Sequence, residues 1–105
     1  MGTHSKTIDE LIQRIVEEVH PLRIILFGSA ARGEMEPNSD IDLLVVMPEG
    51  VLRRRTAQLL YQKITRLGAP FEILVATPHD LQKHKDKIGL IYRTILQEGR
   101  EVYAA

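Results

Sequence analysis

The amino-acid sequence predicts an α/β protein of the α+β type, a small mixed β-sheet of three to four strands with helices packed on it. Three observations predict it. Apolar residues recur at helical spacing in three stretches, Ile8 to Val19, Leu52 to Leu67 and Ile88 to Leu96. Three short runs of strand length, Arg23 to Phe27, Asp40 to Met47 and Phe71 to Ala76, lie between them. The resulting order is helix, strand, turn, strand, helix, strand, helix, which mixes the two kinds throughout.

Each element has its own signals. Thr7 followed by Glu10 reads as a capping box ahead of Ile8, Leu11, Ile12, Ile15, Val16 and Val19, and Pro21 stops the first helix. The run ending at Phe27 is too apolar to be exposed on both faces. Gly28-Ser29 ends it, Ala30, Ala31 and Arg32 favour a helical turn, and Gly33 closes that turn. Pro37-Asn38 breaks the loop up to Ser39, and Pro48-Glu49-Gly50 turns the chain after the second strand. Leu52, Leu59, Leu60, Ile64 and Leu67 mark one face of the second long helix; Arg53, Arg54 and Arg55 in its first turn oppose the helix dipole and read as a solvated face. Gly68-Ala69-Pro70 ends it. Along the third strand Phe71, Ile73 and Val75 share one face and Glu72, Leu74 and Ala76 the other. Thr77-Pro78 caps a short helix through Leu81, and Lys83 to Lys87 form a charged connector. Ile88, Ile91, Tyr92, Ile95 and Leu96 make the last helical stripe, with Gly99 as its stop and Arg100 to Tyr103 as a terminal edge strand.

Size and composition bound the function. The 105 residues suit one domain, 1–105, and 44% hydrophobic residues is ordinary for a globular chain. Lys plus Arg and Asp plus Glu number 14 each, so no net basic field points to nucleic acid. The absence of cysteine excludes disulfides and thiolate metal sites. No apolar run reaches a membrane span, and the polar start lacks a signal-peptide core, so a cytoplasmic protein is expected.

The chemistry lies in the stretch from Phe27 to Val46. Asp40 and Asp42 stand one residue apart at the mouth of a strand, about 6.6 Å apart along the backbone and on one face. Like charges that close repel unless a cation sits between them, which argues for a hard divalent metal. The Gly28-Ser29 turn upstream offers backbone amides to phosphates. Glu72 is a charged residue within an apolar run. It reads as a strand-end group reaching solvent, or as a third metal carboxylate supplied by a neighbouring strand. The four histidines show no ligand spacing, and Tyr61, Tyr92 and Tyr103 read as packing residues.

Gly28-Ser29-x-x-Arg32-Gly33, six residues and then Asp40-x-Asp42, resembles the core motif of the DNA polymerase beta-type nucleotidyltransferase superfamily. The short chain resembles its minimal MNT-type members, often paired with a HEPN-domain partner. That resemblance implies a polymerase beta-like fold and transfer of a nucleoside monophosphate, AMP from ATP, to a hydroxyl. It implies that Asp40, Asp42 and Glu72 hold two Mg²⁺ ions, with Mn²⁺ as a substitute. It places Gly28, Ser29, Arg32, Gly33 and Ser39 against the nucleotide. It also implies an antitoxin that modifies a HEPN-type toxin; a partner chain or a second copy of this one would complete the site. The family commonly has Asp where this chain has Glu72. A misplacement of about 1 Å can cost about a hundredfold in rate, so the longer stem bears directly on activity. The alternative reading is a binding module with weak or no catalysis that neutralises its partner by contact.

Overall fold

Alternation along the strands sorts this chain's apolar residues onto two faces of one sheet. The computed structural model describes residues 4–33, 40–83 and 89–105. In order these form α1 (His4–Val19), β1 (Arg23–Phe27), β2 (Ile41–Val46), α2 (Arg53–Lys63), β3 (Phe71–Ala76), α3 (Pro78–Lys83), α4 (Gly89–Glu98) and β4 (Arg100–Ala104). The strands lie in the order β3-β2-β1-β4. β1 is antiparallel to both β2 and β4, and β2 is parallel to β3. The expected mixed sheet is present, with β4 as the expected edge strand.

One face is closed. Ile24, Leu26, Ile41, Leu43, Val45 and Ile73 point to it from the strands, and Leu11, Ile15 and Leu60 meet them from α1 and α2. The other face carries a smaller cluster, Ile25, Leu44, Val46 and Ala76 under Ile95 of α4. Gly99 lets the end of α4 settle on β1, since a Cβ there would stand 2.7 Å from Ile25 Cγ2.

The structure corrects several expected boundaries. α1 begins at His4, so Thr7 lies inside the helix rather than capping it. The apolar stripe from Ile8 onward carries the helix, and propagating it a turn backward needs no cap. α2 ends at Lys63, not Leu67. Ile64 is extended although its N–H still donates to Leu60 O at 2.9 Å, and Arg66 and Gly68 take positive φ to redirect the chain into β3. Ile64 and Leu67 remain buried on either side of this bend. Arg14 Nη1 donates to Thr65 O at 2.6 Å and ties this connector to α1. Leu52 is exposed rather than on the buried face; Thr56 is buried there and donates its hydroxyl to Leu52 O at 3.0 Å. Arg53 is not merely solvated, for it pairs with Asp80 at 3.3 Å. α3 runs to Lys83, and Thr77 caps it: Asp80 N donates to Thr77 Oγ1 and Thr77 N to Asp80 Oδ2. In α4, Ile91 and Leu96 stay exposed, so only part of that stripe is covered. The loop with Pro37-Asn38, Ser39, and the connector from His84 through Ile88 fall outside the described residues.

Candidate active site

The sheet register builds the site. Phe27 is the partner of Asp42 across β1 and β2, and Asp42 is the partner of Glu72 across β2 and β3. Residues directly opposite in a sheet share a face, so Phe27, Asp42 and Glu72 form a row over three adjacent strands at one end of the sheet. That row lies on the α4 side. Ile41 N donates to Pro70 O at 3.0 Å and pins the entry of β2 against that of β3. Asp40 is exposed and sits one residue ahead of the strand rather than within it.

The turn after β1 closes over the row. Residues 28–33 form a turn in which Arg32 N donates to Gly28 O and Gly33 N to Ala30 O, both at 3.3 Å. Gly28 has φ +72, and a Cβ there would stand 2.5 Å from Asp42 Oδ2. Only glycine meets both conditions at low cost. The same contact shows that the Asp42 carboxylate faces the turn. Ser29 is half-buried within it and Arg32 is exposed at its end.

The electrostatics agree with the register. Asp42 is pushed above the ordinary carboxylate range by burial first, then by the charge of Glu72, then by that of Asp40. Asp42 therefore feels both other acids, and each cause given for its shift, burial and the two neighbouring charges, raises it. A divalent cation is what this donor set suits, since hard oxygens suit hard cations. Among the described residues no group of three or more histidines or carboxylates is placed to hold a metal ion by itself.

The structure adds a neighbour that the sequence reading leaves out. Phe27, Ile91, Thr94 and Ile95 line an open apolar hollow of about 330 Å³ beside the row. Its sequence signal is weak, because Phe27 reads as one more strand residue until strand order places it beside Asp42. A larger hollow of about 610 Å³ lies at the opposite end of the sheet, lined in part by Arg23, Glu49 and His79. Its charges are engaged: Arg23 pairs with Glu101 at 2.5 Å, and Glu49 accepts from His79 N at 2.7 Å.

The family model for the nucleotidyltransferase domain matches residues 8–102. The chain belongs to that family. Solved structures agree with this nucleotidyltransferase domain at the level of the fold. A candidate nucleotidyltransferase from Sulfolobus solfataricus superposes with a TM-score of 0.60 at 18% identity, covering 94% of this chain and 78% of that one. A mutant of the MntA–HpeT toxin–antitoxin gives 0.64 at 18% identity, covering 92% and 72%. A toxin–antitoxin with AMP-PNP gives 0.59 at 22% identity, covering 92% and 73%. A search of curated sequences finds no match. The expected fold and the expected nucleotidyltransferase family are both borne out.

Proposed function

We propose that this nucleotidyltransferase domain transfers AMP from ATP to a hydroxyl on a partner protein, in the role of an antitoxin. One observation supports the reading above the others. The Asp42 carboxylate faces the Gly28 turn while Glu72 stands in register beside it. Acids for a metal and amides for a phosphate thus meet at one mouth.

In the reaction the acceptor oxygen bonds to the α-phosphorus of ATP. The bond from that phosphorus to the bridging oxygen breaks, pyrophosphate leaves, and the acceptor proton departs to solvent or a nearby carboxylate. Asp40, Asp42 and Glu72 would hold magnesium. When bound, the metal lowers the pKa of the attacking hydroxyl and neutralises charge on the leaving group. The Gly28 turn lets phosphate oxygens approach the main chain, and Ser29 adds an amide and a hydroxyl. Arg32 offers a guanidinium fork to phosphate at the outer end of the turn. Ser39, outside the described residues, belongs to this set by the resemblance alone. The toxin–antitoxin neighbours, one of them with AMP-PNP, support a nucleotide substrate and a protein partner, a HEPN-type toxin in the resemblance.

Incubation with ATP, Mg²⁺ and the protein encoded beside it should add one AMP to that partner, read by intact mass. No addition, with no pyrophosphate released, would end the reading. Glu72 favours a second one, a contact-only module. A thermal shift separates the two. Nucleotide and Mg²⁺ at a hundred times their Kd should stabilise an active site by about 2.7 kcal/mol, and a contact-only module should not respond.

A further inference from the structure

Glu72 sits in the end strand of the sheet, and its aim depends on what holds that strand. Among the described residues no hydrogen bond or ion pair fixes its carboxylate, so the main chain must do so. On the inner side β2 holds β3: Ile41 N donates to Pro70 O, and Met47 N to Ala76 O at 2.8 Å. Even-numbered residues of β3 therefore turn their main-chain groups towards β2. Those of Phe71 and Ile73 turn outward, where no strand lies among the described residues. Tyr61, in the last turn of α2, meets both of them. Its hydroxyl accepts the Ile73 N–H at 2.8 Å, and its ring stacks on Phe71 with centroids 5.5 Å apart and planes at 12°. Leu60 beside it is fully buried and anchors that turn.

We propose that Tyr61 is a positioning residue for the reaction: it clamps the residues on either side of Glu72 and so aims the Glu72 carboxylate at the metal. The proposal rests on the function proposed above. A free strand edge can be guarded by any bulky side chain. Contact with the residue before and the residue after a single acid is a more specific arrangement. Glutamate has one more rotatable bond than aspartate, so its carboxylate wanders further if the main chain shifts. A clamp on both flanks offsets that freedom.

The test uses Tyr61→Phe, which keeps the stack and removes the acceptor, Tyr61→Leu, which removes both, and Glu72→Ala as background. Mn²⁺ binding in the presence of a non-hydrolysable ATP analogue is read by the loss of the free-ion EPR signal. Turnover is read as kcat and KM for ATP. Tyr61→Phe should weaken Mn²⁺ binding and lower kcat by about tenfold, the range seen when a residue behind a metal ligand is lost. KM for ATP should stay within about twofold, and Tyr61→Leu should do more. In the Glu72→Ala background Tyr61→Phe should add nothing further, because the two act through one group. Undiminished Mn²⁺ affinity in Tyr61→Phe, or full additivity with Glu72→Ala, would overturn the clamp and leave Tyr61 as a guard of the strand edge. A parent protein that binds no Mn²⁺ with nucleotide would overturn the functional reading itself, and the clamp with it.

Discussion

The two faces of the sheet are built to different ends. On the α1/α2 face, Leu11, Ile15, Ile24, Leu26, Ile41, Leu43 and Leu60 are all fully buried. On the α4 face the cluster is smaller, Ile91 and Leu96 stay exposed, and the row of Asp42 and Glu72 lies at its open end. A closed apolar layer excludes the water and cations that carboxylates need, so the acids can be housed only where packing is incomplete. In the proposed function, stability and chemistry are thus divided by the alternation of side chains along β2, where Leu43 points one way and Asp42 and Leu44 the other.

The sharpest attempt to break this division is Leu43→Ala. It should cost about 2–5 kcal/mol of unfolding free energy, read by urea denaturation, because the closed face cannot collapse around the gap. Transfer by the fraction still folded should be nearly unchanged. If activity fell while stability held, the faces would not be separate.

Asp42→Asn is the converse. Transfer should fall by about a hundredfold or more while the fold persists. Stability should hold or rise slightly, and pH should show why. The folded pKa of Asp42 lies above its ordinary value of 3.8. Folding is therefore not penalised below that value, where the group is protonated in both states. The penalty grows as pH rises through the folded pKa and is complete above it. The advantage of Asn over Asp in thermal melts should accordingly be absent at low pH and appear as pH rises. An advantage largest in acid would contradict the assigned burial and crowding.

Gly28→Ala tests the contact between turn and acid. The new Cβ would stand 2.5 Å from Asp42 Oδ2 at a φ of +72, so the turn or the carboxylate must move. A shift of about 1 Å would lower activity by about a hundredfold, with a smaller loss of stability of about 1 kcal/mol for the positive φ.

Much of this was legible beforehand, for reasons visible in particular residues. β1 and β3 match their expected bounds because glycine or proline borders each run. Gly28-Ser29 and Asp42 come together because a turn and a strand mouth leave few other places for them. The length of α2 was not legible. Ile64 and Leu67 keep a helical spacing although the helix stops at Lys63 and the chain bends at Arg66, and spacing alone does not show where a helix ends. Ile91 and Leu96 fit a helical stripe, but spacing does not say how much of a stripe its neighbours cover. Tyr61 looked like ordinary packing because its significance needs two facts the sequence does not carry: that β3 ends the sheet, and which of its amides face outward.

The smallest expected effect is at the open face itself. Ile91→Ser, at a residue 57% exposed, should change stability by no more than about 0.5 kcal/mol, since little apolar area returns to water. The residue also lines the apolar hollow beside Phe27, next to the row of acids. A side chain kept apolar there without supporting the fold should show its value in substrate affinity. KM for ATP or for the acceptor protein should rise by a few fold at unchanged kcat. If neither moves, the exposed half of α4 serves neither stability nor binding, and the division of labour between the faces ends at Phe27.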